Sequence, residues 1–192
     1  PDKFPVDREG FKDETRLLIP FINKENKVHA LQGRSFDPNT KQKYITAVLD
    51  EELPKMWGLD DLDDKQTIHV FEGPIDGMFV ENSVATAGGD LTTVTKCFPR
   101  DQLVIVYDNE RRSPETLKKV MKAITDGYKV CIWPDSVEGI KDVNDMILAG
   151  FTPEQLKEMI KENTFSGLRA MMEFNRWKRV GNLKSKINFM RG

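Results

Sequence analysis

Four short apolar segments between residues 67 and 135 constrain the fold of this chain more than any other feature of its sequence. None of them alternates apolar with polar residues, as a strand with one solvated face does. The segments are TIHVFE (67–72), SVATA (83–87), QLVIVYD (102–108) and YKVCIWPD (128–135). Such runs are typical of strands buried on both faces, so the sequence predicts a parallel sheet covered by helices.

A helix is predicted between the third and fourth of these segments, over residues 113–127. Ser113 is a suitable N-cap, Pro114 stands in the first turn, and Gly127 follows the last turn. Strands that alternate with helices are typical of βαβ units. We therefore predict an α/β fold with a mainly parallel sheet and flanking helices.

The first third of the chain has strand candidates joined by polar turns. Strands are predicted over residues 16–22, 27–36 and 43–48, with a hairpin turn at residues 23–26. The stretch over residues 50–64 is acidic and irregular, and we expect it to act as a hinge. This part is predicted to be a small α+β subdomain.

The last part of the chain is predicted to be helical and basic. Helices are expected over residues 152–163 and 166–181. The basic tail either contacts nucleic acid or forms a solubilising helix face, with Leu168, Met171, Met172 and Trp177 packed inward. The chain thus has three predicted parts: an N-terminal α+β subdomain (1–64), a parallel-sheet domain (65–150) and a C-terminal helical, basic segment (151–192).

Composition limits the kind of site that the chain can build. Its 192 residues, 39% of them hydrophobic, suffice for one domain or two small ones. The net charge of −2 says little about partners. The two cysteines and two histidines provide no zinc-ligand spacing and no disulfide framework, which indicates reduced thiols in an intracellular protein. No apolar run reaches the roughly 18 residues of a membrane span.

Acidic residues follow three of the four predicted parallel strands. Glu72 ends the first, Asp108 and Glu110 end the third, and Asp142 and Asn144 come after the fourth. Because the carboxyl ends of parallel strands share one edge of a sheet, we expect these side chains to lie close together. Crowded carboxylates repel one another unless a cation lies among them, and oxygen ligands favour Mg²⁺ or Mn²⁺. Ions held in this way suit phosphoryl transfer.

Glu72 is followed by a glycine, a proline and a second carboxylate. We expect Glu72 to act as a metal ligand or a general base. Gly73 is predicted to let the backbone turn sharply, and Asp76 to face the same side of a short helix. Each acidic residue taken alone also has a structural explanation, since loops are polar; Asp135, for example, could cap a turn. Taken together, the strand-end carboxylates favour a functional site.

These segments resemble the TOPRIM domain, the Rossmann-like metal-binding fold of bacterial-type primases, type IA and II topoisomerases and some nucleases. VFEGPIDGMFV resembles the glutamate-glycine motif after the first strand, and SVATAGG resembles the next strand with its glycine turn. VIVYDNER resembles the Asp-x-Asp motif, with Glu110 in place of the second aspartate. GIKDVNDMILAG resembles the acidic motif found late in the primase version.

The N-terminal third resembles the segment that precedes the TOPRIM domain in bacterial replicative primases and their phage relatives. In those proteins a Gly-Arg pair is followed by Lys-Tyr, as it is here at Gly33, Arg34, Lys43 and Tyr44. Thr46 stands where the family has an asparagine, which is a departure. The resemblance covers about residues 16–150.

The resemblance implies the catalytic core of a DNA primase. Such a core synthesises short RNA primers on single-stranded DNA from ribonucleoside triphosphates, with Mg²⁺ or Mn²⁺ as cofactor. A replicative helicase is an implied partner, no membrane is involved, and the implied location is the cytoplasm of a bacterial or phage-infected cell. Two alternatives stay open: a TOPRIM nuclease, and a non-catalytic module that binds nucleic acid. The Arg34, Lys43 and Tyr44 element favours the primase, because a nuclease of this type would not require it.

The resemblance also assigns roles to individual residues. The implied catalytic residues are Glu72, Asp108 and Glu110. The implied metal ligands are oxygen donors: Glu72, Asp76, Asp108, Glu110, Asp142 and Asn144. The implied nucleotide or template contacts are basic or aromatic: Arg34, Lys43, Tyr44 and Lys141.

Overall fold

The computed structural model describes residues 14–88 and 91–179. These residues form two compact units, which divide between Val104 and Ile105. The domain boundaries expected near residues 64 and 150 from the sequence stay predictions.

The first unit opens with a three-stranded antiparallel sheet. Its strands are β1 (Arg16–Ile22), β2 (Val28–Ser35) and β3 (Tyr44–Val48), paired in the order β1-β2-β3. The predicted hairpin turn is confirmed: the Asn26 N–H donates to the Asn23 carbonyl at 3.0 Å, and Asn26 has a φ of +57°. Asparagine tolerates this left-handed conformation better than most residues.

The second sheet has five strands and is mostly parallel, which confirms the predicted α/β class. β4 and β5 pair in parallel, whereas β7 and β8 pair antiparallel. β8 was not predicted, because two residues are too few to give a sequence pattern. The strands are β4 (Ile68–Phe71), β5 (Ser83–Ala85), β6 (Leu103–Ile105), β7 (Lys129–Cys131) and β8 (Thr164–Phe165), in the order β5-β4-β6-β7-β8.

Two of the α-helices begin with side-chain caps at the starts predicted from the sequence. The Ser113 hydroxyl accepts a hydrogen bond from the Thr116 N–H at 3.3 Å, and Thr152 forms a capping box with Gln155. Gly127, with a φ of +83°, follows the second helix as predicted. The helices are α1 (Pro74–Gly77), α2 (Pro114–Thr125), α3 (Val143–Leu148), α4 (Pro153–Glu162) and α5 (Gly167–Trp177).

The core of the first unit joins β1 and β2 to α1. Phe21 and Ala30 are fully buried there, and Trp57 packs against the same cluster. Trp57 lies in the stretch predicted to be irregular, yet its main chain exchanges two hydrogen bonds with Ala85 of β5, at 2.9 and 3.1 Å. This stretch is therefore anchored at the edge of β5.

In the second unit, α2 packs on β7 and α5. α5 ends at Trp177, four residues before the predicted end, and residues 180–192 of the basic tail lie outside the described residues. Trp177 is buried as expected, whereas Leu168 and Met172 are exposed, which contradicts the inward packing predicted for them. Within the described residues, no helix is both long and apolar enough to cross a membrane.

Candidate active site

Glu72 lies at the carboxyl end of β4, directly after the buried Phe71. β5 ends at the same edge, because Phe71 lies opposite Ala85 in the parallel register. The chain after β5 folds back along this end: the Thr86 N–H donates to the Phe71 carbonyl at 3.2 Å, and the Gly88 N–H donates to the Glu72 carbonyl at 3.3 Å. The main chain of Glu72 is therefore fixed by the turn that follows the neighbouring strand.

That turn is strained. Ala87 and Gly88 have φ values of +52° and +86°, in the left-handed region that glycine adopts readily and alanine does not. The chain bends at Gly73 as predicted, but with a φ of −125° the bend uses an extended backbone that residues other than glycine can also adopt. A methyl group on Gly73 would lie 3.8 Å from Asp76 Oδ2, so the Asp76 side chain points back toward the residue that follows Glu72.

The acidic loop of the second unit, residues 108–111, follows β6. The strand ends at Ile105, although the apolar run predicts a strand up to Asp108. Side chains alternate along the loop: Asp108 and Glu110 are partly exposed, whereas Asn109 and Arg111 are buried, at 6% and 5% exposure. Two acidic groups thus face outward from a loop that is anchored by the residues between and after them.

Two of the acidic residues in this unit are also fixed by helix starts. The Glu110 carboxylate accepts a hydrogen bond from the Thr116 hydroxyl at 3.1 Å, and the Glu110 carbonyl accepts one from the Ser113 N–H at 3.1 Å. Asp142 caps α3, since its Oδ1 accepts a hydrogen bond from the Asp145 N–H at 2.8 Å. These contacts hold both carboxylates near the N-terminal ends of α2 and α3.

Lys141 lies among three of the predicted carboxylates. Its Nζ is 3.2 Å from Asp108 Oδ2, 3.8 Å from Glu110 Oε1 and 3.9 Å from Asp142 Oδ2. The Lys141 carbonyl accepts a hydrogen bond from the Asn109 N–H at 2.6 Å, which joins the two acidic loops directly. The structure therefore brings Asp108, Glu110 and Asp142 around one positive charge.

The electrostatics of this cluster favour the charged form of Lys141. Partial burial of the ammonium acts to lower its pKa, but the attraction of Asp108 and a hydrogen bond to it, then the attraction of Glu110 and Asp142, outweigh burial. The pKa of Lys141 is consequently raised above its ordinary value. A cation at this point offsets the repulsion among the carboxylates.

The donors are carboxylate oxygens, the ligand type that Mg²⁺ and Mn²⁺ prefer, and in this structure they lie around the Lys141 ammonium. In the part of the chain that the structure describes, no three Asp, Glu, His or Cys side chains are grouped as a metal would require. The Lys141 ammonium stands among the oxygens instead. Asn144, a predicted ligand, lies in the first turn of α3, two residues after Asp142.

The predicted nucleotide-binding residues of the first unit come together on adjacent strands. Arg34 of β2 lies opposite Tyr44 of β3. The Arg34 guanidinium is 5.8 Å from the centre of the Tyr44 ring, and the Lys43 ammonium is 5.9 Å from it. Tyr44 is 38% exposed, so the structure presents an accessible aromatic ring beside two cations.

Sequence reasoning missed Asn109, Arg111 and Trp177, which anchor the second acidic loop. Their partners are mostly carbonyl groups from distant parts of the chain, which no local pattern reveals. The usable signal was the alternation in the segment DNER, where Asn109 and Arg111 occupy the positions between and after the acidic residues. Asp135, for which a turn cap was considered, pairs with Arg111 and Arg179 instead.

The chain is similar to known primases in sequence and in fold. No family model matches it. It is 40% identical over 168 residues to the DNA primase of Enterobacteria phage T4, an alignment that covers 87% of this chain and 48% of the phage protein. The chain thus spans about half the length of this curated relative.

Two solved structures show the likeness of fold. The first is the Aquifex aeolicus primase, crystallised with its zinc-binding and RNA polymerase domains. Its TM-score is 0.60 at 20% identity, over 90% of this chain and 45% of that one. The second is a primase catalytic domain bound to single-stranded DNA. Its TM-score is 0.53 at 15% identity, over 78% of this chain and 52% of that one. The chain is therefore similar in sequence to the phage T4 DNA primase and similar in fold to primase catalytic cores.

Proposed function

We propose that the chain is the catalytic core of a DNA primase, which joins ribonucleotides into short RNA primers on a single-stranded DNA template. The observation that carries this proposal is the grouping of Asp108, Glu110 and Asp142 around the Lys141 ammonium. Such a grouping suits a site for hard cations and phosphates. The sequence identity to the phage T4 primase supports the same reading.

The acidic residues would hold Mg²⁺ or Mn²⁺. The proposed ligand positions are the oxygen donors that the sequence resemblance implies: Glu72, Asp76, Asp108, Glu110, Asp142 and Asn144. When bound, such an ion neutralises charge on the phosphates and favours ionisation of the attacking hydroxyl. Glu72, Asp108 and Glu110 are the principal catalytic positions in this proposal.

Lys141 is proposed to contact the triphosphate of the incoming nucleotide. Half of its side chain is exposed, and its ammonium is a point charge on a flexible stem, so it can turn from the carboxylates toward a phosphate. Its carbonyl is held by Asn109, which keeps its main chain beside the acidic loop while the side chain moves. Lys141 would thus bind carboxylates without the nucleotide and phosphate with it.

Arg34, Lys43 and Tyr44 are proposed to bind the template or the nucleotide. Two cations can contact phosphates, and an exposed tyrosine ring can stack on a base. The complex of a primase catalytic domain with single-stranded DNA is consistent with this role. The replicative helicase stays a prediction from the sequence resemblance.

The test is a primer-synthesis assay with the full chain, ribonucleotides, single-stranded DNA and Mg²⁺ or Mn²⁺. We expect short RNA products from the parent chain and none from Glu72→Gln. Asp126→Asn, a change at an exposed carboxylate that pairs with Lys122, is the control and should retain activity. Degraded DNA without RNA would instead indicate a nuclease, and DNA binding without either product would indicate a non-catalytic module.

A further inference from the structure

The buried residues of the second acidic loop form a network of their own. Asn109 uses every hydrogen-bonding position of its side-chain amide. Its Nδ2 donates to the carbonyls of Val137 at 2.8 Å and Ile140 at 2.9 Å. Its Oδ1 accepts from Trp177 Nε1 at 3.0 Å and from Arg111 Nε at 3.2 Å. One side chain thus connects the acidic loop, the segment before Lys141 and the end of α5.

Arg111 extends this network to the chain after β7. Its guanidinium, with the side chain 4% exposed, donates to the carbonyls of Trp133 and Pro134 and pairs with Asp135. Glu138 Oε2 lies 3.8 Å from Arg111 Nη1, on the outer side. A buried guanidinium with this many partners has little freedom to move, because any shift would leave buried groups without hydrogen bonds.

Arg179, two residues after the end of α5, contacts the outer side of this network. The Arg179 N–H donates to the Arg111 carbonyl at 2.9 Å. The Arg179 guanidinium contacts Asp135 at 3.2 Å and Glu138 at 3.4 Å, so it holds both carboxylates against Arg111. α5 supplies no carboxylate to the Lys141 cluster, yet Trp177 and Arg179 touch the residues that anchor it.

The network lies where it can fix the positions of the acidic residues and of Lys141. Asn109 stands between Asp108 and Glu110, and its N–H holds the Lys141 carbonyl. A displacement of Asn109 therefore moves three members of the cluster at once. Metal binding and catalysis are sensitive to displacements of this kind, since a ligand must be held within a fraction of an ångström.

We propose that Asn109, Arg111 and Trp177 form a brace that positions the acidic loop for metal binding, which makes the end of α5 part of the active site. The three are positioning residues, because they act through Asp108 and Glu110. The inference rests on the proposed function for its catalytic consequence, but the effect on metal binding can be measured independently.

The test compares Trp177→Phe with the parent chain. Phenylalanine keeps an aromatic ring beside Phe174, whose ring centre is 6.0 Å away, but removes the indole N–H that Asn109 accepts together with part of the ring volume. We expect Mn²⁺ affinity, followed by electron paramagnetic resonance, to fall about tenfold, the equivalent of one buried hydrogen bond. The rate of primer synthesis at low Mn²⁺ should fall with it, while the affinity for single-stranded DNA should change less than twofold.

Met172→Ala is the matched control, since Met172 is half exposed on the same helix. It should leave both Mn²⁺ affinity and primer synthesis unchanged. If Trp177→Phe does not fold, Arg179→Ala decides the question, because Arg179 is nearer the surface and holds Asp135 and Glu138 from outside. Its Mn²⁺ affinity should fall about two- to threefold, less than the tenfold or more expected for direct partners of metal ligands, because Arg179 acts only through Asp135, Glu138 and Arg111.

The outcomes separate the brace from the proposed function. A folded Trp177→Phe variant, or in its place Arg179→Ala, with parental Mn²⁺ affinity would overturn the brace, even if the parent makes primers. A parent chain that binds Mn²⁺ but makes no RNA would overturn the proposed function. The brace would stand in that case if the variant still lost Mn²⁺ affinity.

Discussion

The loop that carries Glu72 and the loop that carries Asp108 and Glu110 are held in different ways. The Glu72 loop is held by main-chain hydrogen bonds from the turn after β5, in which Ala87 and Gly88 have positive φ values. The Asp108 loop is held by buried side chains. A main-chain anchor depends on the conformation that each residue can adopt, whereas a side-chain anchor depends on the identity of single residues.

This difference has a consequence for how each loop responds to substitution. In the Glu72 loop, only a residue that resists the left-handed conformation should disturb the geometry. In the Asp108 loop, loss of one amide or guanidinium leaves several buried carbonyls without a donor. Single substitutions should therefore damage the second loop more than the first, except at the carboxylates themselves.

The largest effect is expected at a carboxylate. Asp108→Asn should reduce primer synthesis about a thousandfold, because a carboxylate that holds a catalytic cation contributes several kcal/mol to the reaction. Glu72→Gln should give a loss of similar size if the two loops serve one reaction. Steady-state rates at saturating nucleotide measure both. Activity within tenfold of the parent in either variant would remove that loop from the catalytic assignment.

The second-largest effect is on the free energy of unfolding, and it tests the side-chain anchor of the Asp108 loop. Asn109→Leu keeps the branched shape of the side chain, with a larger volume, and removes hydrogen bonds to four partners. We expect the free energy of unfolding to fall by about 3 kcal/mol, since several buried polar groups lose their partners. Urea unfolding followed by tryptophan fluorescence measures the change. A loss below about 1 kcal/mol would show that water or other groups replace the amide.

The same distinction explains how much of the molecule could be predicted from sequence. The antiparallel strands, the parallel sheet and the helix starts at Ser113 and Thr152 were predicted correctly, because apolar runs and caps are local signals. The predicted strand over residues 102–108 was too long. Val106 and Tyr107 are buried although the strand has already ended at Ile105, so burial alone does not mark the end of a strand.

The site was predictable only in part, for a physical reason. The carboxylates stand out because several of them follow neighbouring buried strands of one sheet, and Asp108, Glu110 and Asp142 do gather around one cation. Lys141 was assigned to nucleotide binding, and its place among the carboxylates was not foreseen. The brace was missed because its bonds join residues up to 68 positions apart, as from Asn109 to Trp177.

The third effect concerns the main-chain anchor of the Glu72 loop. Gly88→Ala should lower the free energy of unfolding by about 1 kcal/mol, because the φ of +86° strains alanine although the space around Gly88 is open. Gly73→Ala is the matched control. Its φ of −125° suits alanine, so stability should stay equal or rise by up to about 1 kcal/mol. Equal losses in both variants would contradict main-chain strain as the cause.

The smallest effect is the pH dependence of stability that comes from Asp135, the carboxylate that pairs with Arg111 of the brace. A hydrogen bond and the charge of Arg111, followed by the charge of Arg179, hold the pKa of Asp135 below its ordinary value. A carboxyl with a lowered pKa in the folded state stabilises the fold above its unfolded pKa of about 3.9, and that stabilisation is lost as pH falls through the folded pKa. Stability measured by chemical denaturation between pH 7 and pH 3 should therefore fall less steeply below about pH 4 in Asp135→Asn than in the parent. If the stability of the parent and of Asp135→Asn falls equally steeply in acid, the Arg111 guanidinium is held by its carbonyl partners alone, and its pairing with Asp135 contributes nothing.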